Sequence, residues 1–315
     1  MTAEALDAVA TKPARAKTSS IKRPAWEEEP TPAGKVGKGI LLTFLVLAVA
    51  FPMWCVVVTS LSSRKTIDQA GGLVVIPRGF DPGAYVTIFS GGQVARAVWV
   101  SLIVAFGGTA ISLTTTVLAA YGLSRPGSLF HRPLLFLFLL TYLIYPGLVT
   151  KYLVVTQLVH WKNSLWALMV PSAVNAFNLI VIRAFFMNVP AELLDSARID
   201  GAGEFRILTR IMLPLSKAVI AVVGLFYAVG YWNIYFDAVL YIDDNNLQPI
   251  QRLLQGYILA GLSPQVGMSG SFSVMPPTLA VKMAVVVVAI IPPMLAYPFV
   301  QRHFTKGVIT GAIKG

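Results

Sequence analysis

The chain has 315 residues, 56% of them hydrophobic and 12% charged, with a formal net charge of +11. A soluble domain carries about 25% charged residues, so this composition excludes an ordinary soluble globular protein. One cysteine, Cys55, and three scattered histidines, His131, His160 and His303, exclude a disulfide framework and give no metal-ligand spacing.

Residues 1–38 are rich in Ala, Pro, Thr, Lys and Glu and show no apolar periodicity, which predicts a disordered tail. It does not read as a signal peptide, because the first apolar run starts late and no small-residue cleavage site follows it. Residues 39–59 then supply 21 positions without a charge, enough to cross a bilayer. Further candidate spans are 97–123, 133–150, 163–182, 218–236 and 281–300. The last carries Lys282 near its start, where the side chain can snorkel to the headgroups. The expected fold is all-α: a polytopic membrane protein of six transmembrane helices, with a transmembrane domain over 39–315 and its core at about 95–300.

Lys and Arg between the spans set the orientation. Seventeen fall in the tail, the second-to-third and fourth-to-fifth connections and the C-terminus, against seven on the other side. This bias puts both termini in the cytoplasm. It also accounts for the basic charge through anionic lipid rather than nucleic acid. The outer loops, 60–96 and 241–278, are rich in turn residues. Asp243-Asp244-Asn245-Asn246 lacks the alternating ligands and closing Glu of a calcium loop and reads as a solvated turn.

The informative stretch is the inner loop 188–217. Pro190 suits the start of a helix. Leu193, Leu194, Ala197 and Ile199 form one loose apolar face before Gly201 and Gly203 interrupt it. Asp200 is placed to cap a second helix, in which Phe205, Leu208 and Ile211-Met212 recur at helical spacing until Pro214 ends or bends it. Two short helices with a glycine bend make a docking shape, although an interfacial helix anchoring the next span fits the same pattern.

Gly201, nine intervening residues, then Ile211-x-Leu213-Pro214 resembles the EAA motif of permease subunits in binding-protein-dependent ABC importers. Asp195-Ser196-Ala197-x-x-Asp200-Gly201-Ala202 fills its first half, with Asp195 and Ser196 where the family usually has Glu and Ala. Trp232-Asn233 and the tail Gln301-Arg302-His303-Phe304-x-Lys306-Gly307 through Gly311-Ala312-x-Lys314-Gly315 are similar to carbohydrate permeases of the maltose-importer type. Tyr241-x-x-Asp244 and Leu247-x-Pro249-x-Gln251 suggest the branch that handles oligosaccharides, including plant-polymer fragments.

The resemblance implies the type I ABC importer permease fold and a division of labour. The loop would dock on a dimer of cytoplasmic ATPase subunits, with Asp195 pairing with a basic group there. Gly201 would permit the bend, Ala197 and Ala202 close approach, and Arg198 and Glu204 rim contacts. ATP and Mg would be used by that partner, since this chain has no phosphate-binding Gly-x-x-x-x-Gly-Lys-Ser/Thr loop and binds no cofactor of its own. A second, unlike permease subunit and an extracellular or periplasmic sugar-binding protein complete the implied assembly in a bacterial inner membrane.

Polar residues within spans tend to face a cavity, and sugars are held by aromatic faces, amides and carboxylates. The candidates for the path are Asn175, Asn178, Tyr227, Tyr231, Trp232, Asn233, Tyr235 and Asp237. The same residues can instead tie helices together or anchor them at the interface. A secondary transporter would want ionisable residues in mid-span, and a membrane enzyme would want a convergent catalytic set; neither pattern is found. A permease for a non-sugar solute, such as amino acids or peptides, is the alternative within the same family.

Overall fold

The structure is a computed structural model that describes residues 31–125, 130–144, 146–259 and 279–312. The described residues contain helices and turns and no strand. The chain divides into two units, Met1–Phe51 and Pro52–Gly315. The first contributes the opening part of a long helix, α1 (Pro32–Ser60), with Val36, Ile40, Phe44 and Val49 all exposed. The expected disordered tail is therefore corrected for 32–38, which is helical; residues 1–30 lie outside the described residues.

The second unit holds the packed core. After α1 come α2 (Arg64–Ala70), α3 (Gly83–Ser90) and α4 (Gln93–Ser124). Next are α5 (His131–Leu143), α6 (Leu148–Leu153, widening into a π-turn over Val154–Leu158), α7 (Trp166–Met169) and α8 (Ala176–Met187). They are followed by α9 (Ala191–Ile199), α10 (Glu204–Ile207), a π-turn over Leu208–Met212 and α11 (Leu213–Leu215). The chain then runs through α12 (Lys217–Trp232), α13 (Phe236–Tyr241), α14 (Ile250–Leu259) and α15 (Leu279–Ala312).

Among the described residues, three helices are long and apolar enough to cross a membrane: Pro32–Ser60, Gln93–Ser124 and Leu279–Pro298. The count reaches six only if three bent pairs each serve as one span. The expected third span breaks after Leu143 and turns by 114° into α6. The expected span at 163–182 is not one helix. It is short α7, a turn, and then α8, whose start Asn175 caps by accepting from the Asn178 N–H. The expected fifth span ends at Trp232, with Asn233 as its C-cap. Uninterrupted apolar composition sets the capacity to enter lipid but not straightness, so the breaks fall where Pro146-Gly147, Pro171-Ser172 and Asn233 interrupt the run.

A stripe of small residues on α4 places the core. Gly108, Ser112, Thr116 and Ala120 recur at every fourth position and are all buried, which lets α12 approach closely. Thr116 pairs with the Tyr227 hydroxyl at 2.7 Å, and one turn along Ser112 pairs with the Tyr231 hydroxyl at 2.7 Å. The order reverses between the two helices, so α4 and α12 run antiparallel. Val104, Leu179, Ile182 and Val223 fill the surrounding core with no measurable exposure.

Candidate functional site

The 188–217 loop forms two short helices, as its sequence suggests, but with different caps. Pro190 precedes α9 as its N-cap, and Glu192 and Arg198 stand at the ends that suit their charges. The helix closes on Gly201, at φ +76°. The Gly201 N–H bonds to the Arg198 carbonyl at 3.0 Å and the Ala202 N–H to the Ala197 carbonyl at 2.9 Å, which is the Schellman closure that favours glycine. The bend therefore resides at Gly201. Asp200 does not cap the second helix: it is the C-cap of α9, and Gly203 is the N-cap of α10. Among the described residues, no side-chain cap hydrogen bond closes the start of α10.

The apolar faces also need correction. Leu194, Ile207, Leu208 and Met212 are buried, and Ala197, Ala202, Ile211 and Leu213 pack partly against the core. Ile199 is 87% exposed and Phe205 75% exposed. Ile207 is buried where spacing pointed to Phe205, while Leu208 and Met212 are buried as spacing suggests. Pro214, on the exposed side, lies just before the 85° bend into α12.

Glu204 is the hub of this loop. Its carboxylate accepts from the Tyr121 hydroxyl, lies 3.4 Å from Arg125 Nη2 and accepts from Arg198 Nη2 at 3.2 Å. The Arg125 guanidinium also lies 4.4 Å over the Tyr121 ring. Arg198 reaches back to Asp195 at 3.3 Å, so among the described residues Asp195 pairs with its own helix's arginine. Ser196 Oγ donates to the Glu192 carbonyl at 2.8 Å. The carboxyl of Glu204 is held below the usual glutamate range, chiefly by the Tyr121 hydroxyl. Partial burial opposes that effect, and Arg198 and Arg125 add to it. Tyr121 and Arg125, 83 and 79 positions before Glu204, were not legible in the sequence; only the pairing of an aromatic and an arginine one helical turn apart at the end of α4 hints at them.

The polar span residues divide into two sets. Asn175, Asn178, Tyr227, Tyr231 and Asp237 line one cavity of ≈ 380 Å³ together with Ser172 and Phe177. Within it the hydroxyls are already engaged: Tyr231 donates to the Met169 carbonyl at 2.6 Å, and the Asn175 N–H bonds to the Tyr227 oxygen at 3.1 Å. Trp232, Asn233 and Tyr235 do not line it. Trp232 is buried and donates from Nε1 to the Ala289 carbonyl at 3.0 Å, tying α12 to α15. Asn233 donates to the Val229 carbonyl at 3.0 Å on its own helix, and Tyr235 is exposed beside Phe236.

Sequence reasoning missed Lys151. Its ammonium lies 2.9 Å from the Asp237 carboxylate across 86 residues of chain. Lys151 lines a second cavity of ≈ 580 Å³ with Pro146, Val155, Trp161 and Pro171. Asp243 pairs with Lys162 at 2.8 Å, and Asp244 caps the short turn Asn245–Leu247. Among the described residues no His, Cys, Asp and Glu group could hold a metal ion. Gly311 and Ala312 end the described helix α15, while Lys314 and Gly315 of the expected tail motif lie outside the described residues.

Comparison with known proteins gives these features a family. Residues 33–310 match the family described as "Binding-protein-dependent transport system inner membrane component". The chain is 42% identical over 279 residues to the "Polygalacturonan/rhamnogalacturonan transport system permease protein YtcP" of Bacillus subtilis (strain 168), covering 88% of this chain and 96% of that one. It is 39% identical over 289 residues to "Protein LplC" of the same organism, covering 90% and 97%. Among solved structures it superposes with a TM-score of 0.79 on a chain of a bacterial ABC transporter involved in the import of the acidic polysaccharide alginate. That match is 24% identical and covers 89% of this chain and 100% of the other, so the fold is shared. The Gly201-to-Pro214 loop, the broken helices and the match over nearly the whole chain agree: this protein belongs to the family of binding-protein-dependent transport system inner membrane components.

Proposed function

We propose that the chain is one permease subunit of an ATP-driven oligosaccharide importer in a bacterial inner membrane, with both termini and the 188–217 loop in the cytoplasm. The observation that carries this reading is the loop itself. A glycine-closed turn leaves Ile199 and Phe205 at 87% and 75% exposure on a segment that lies outside the candidate apolar runs. Exposed apolar side chains grouped beside charges suit a protein partner. The partner is a dimer of ATPase subunits, which uses ATP and Mg. Asp195, Asp200 and Arg198 form the polar rim around the two apolar residues.

The hub at Glu204 fits this role mechanically. It fastens the loop to the end of α4 through Tyr121 and Arg125, so a push on the loop is delivered to the helix packed against α12. Such coupling moves packed elements as rigid bodies. The cavity lined by Asn175, Asn178 and Asp237 is the candidate sugar path, completed by a second, unlike permease and fed by a sugar-binding protein. The oligosaccharide reading is supported by the relative named for polygalacturonan and rhamnogalacturonan transport.

Co-purification from native membranes is the test. An ATPase subunit and a second permease are expected to accompany this chain, and Ile199→Asp with Phe205→Asp is expected to strip the ATPase away. Retention of the ATPase by that double variant sinks the docking assignment.

A further inference from the structure

We propose that Lys151 is the specificity-determining residue for an acidic oligosaccharide, its ammonium exchanging the Asp237 carboxylate for a carboxylate of the sugar. The inference rests on the oligosaccharide reading above and names the substrate class for it. Lys151 Nζ sits 2.9 and 3.1 Å from the two carboxylate oxygens of Asp237. The two side chains are only 25% and 17% exposed. Among the described residues, Lys151 is the one charged group lining the ≈ 580 Å³ cavity, and Asp237 the one lining the ≈ 380 Å³ cavity. One member of the pair lines each cavity, so the ion pair presents one charge to either side.

Charge accounting then selects the ligand. A partly desolvated ammonium cannot be left without a counter-ion, and a neutral hydroxyl restores only part of what it loses. A sugar carboxylate replaces Asp237 like for like, with the same charge-assisted hydrogen bonds. Released Asp237 loses its counter-ion in turn, and that cost is offset by hydration from its cavity and by Asn175 and Asn178, which line the same cavity and carry amide donors. Trp161, in the cavity lined by Lys151, supplies an apolar face for a sugar ring.

The test measures binding of trigalacturonate and of neutral galactotriose to the permease complex purified from native membranes and placed in nanodiscs, with uptake of both by cells carrying or lacking this chain. Wild type is expected to prefer trigalacturonate by roughly tenfold, the low end of what one hydrogen bond to a charged group contributes. Lys151→Met should abolish that preference and Lys151→Arg should keep it. Asp237→Asn should tighten trigalacturonate binding, because the competing carboxylate is gone. Equal binding of the two sugars by wild type, or no binding of either at millimolar concentration, overturns the proposal. So does a loss in Asp237→Asn that matches Lys151→Met, the mark of a purely structural pair. If uptake of galactotriose but not of trigalacturonate depends on the chain, the carboxylate inference fails and the permease reading stands. If neither uptake depends on the chain, the oligosaccharide permease reading fails as well.

Discussion

Tyr231 lies so close over Gly108 that a Cβ built on the glycine would come within 2.8 Å of the tyrosine ring. The contact sets how near α12 comes to α4, and it brings the Tyr231 hydroxyl to Ser112 and the Met169 carbonyl. A side chain at 108 must displace a ring held by two hydrogen bonds. Gly108→Val is therefore expected to destabilise the protein by about 1–3 kcal/mol, the usual range for overpacking. Its melting temperature in detergent should fall; an unchanged value would remove this contact from the account.

Gly201 offers a different prediction, because nothing lies within 4 Å of a Cβ built there and the constraint is purely its φ of +76°. Gly201→Ala should cost about 1 kcal/mol in the loop's folded conformation. Gly201→Asn should cost less, since Asn tolerates this region. Sugar uptake is expected to rank Gly above Asn above Ala, with Gly201→Asp inactive yet still inserted in the membrane, because Asp tolerates the turn as Asn does but adds a negative charge to the surface proposed to meet the ATPase. Full transport by Gly201→Asp would mean that the turn is not a coupling element.

Asp195 and Arg198 form an exposed pair, with 64% and 46% of their side chains accessible. Such a pair contributes about 0–1 kcal/mol, so Asp195→Ala should leave thermal stability nearly unchanged. If the carboxylate serves the ATPase interface, Asp195→Lys should abolish ATPase co-purification and uptake, whereas Asp195→Glu changes them little. A stability loss that parallels the activity loss would point to folding instead.

The lowered ionisation of Glu204 fixes a pH dependence. Its folded value lies below the unfolded one, so its tie to Tyr121, Arg125 and Arg198 is fully present above the ordinary glutamate range of about 4.3. It is lost as the pH falls through the depressed folded value. The gap in melting temperature between wild type and Glu204→Gln should stay constant from neutral pH to about 5 and close below about 4. A gap that closes nearer neutrality would show that the carboxylate is not held ionised by this network.

The sequence by itself determined the membrane class, the helical content and the loop between Pro190 and Pro214. Each is written locally, in runs of apolar residues or in a glycine and a proline at fixed spacing. The tertiary structure decided which polar residues matter, and how. Asn175, Asn178, Tyr227, Tyr231 and Asp237 share a cavity, while Trp232 is turned to α15, a distinction that depends on which face of α12 meets which neighbour. The stripe Gly108, Ser112, Thr116 and Ala120 emerged only from the packing, since four-residue spacing does not name a partner helix. Lys151 with Asp237, and Tyr121 with Glu204, meet across 86 and 83 residues. Nothing in local periodicity encodes such pairings. They arise because packing brings helix ends together, and a charge partly removed from water settles beside whichever opposite charge or donor that packing supplies.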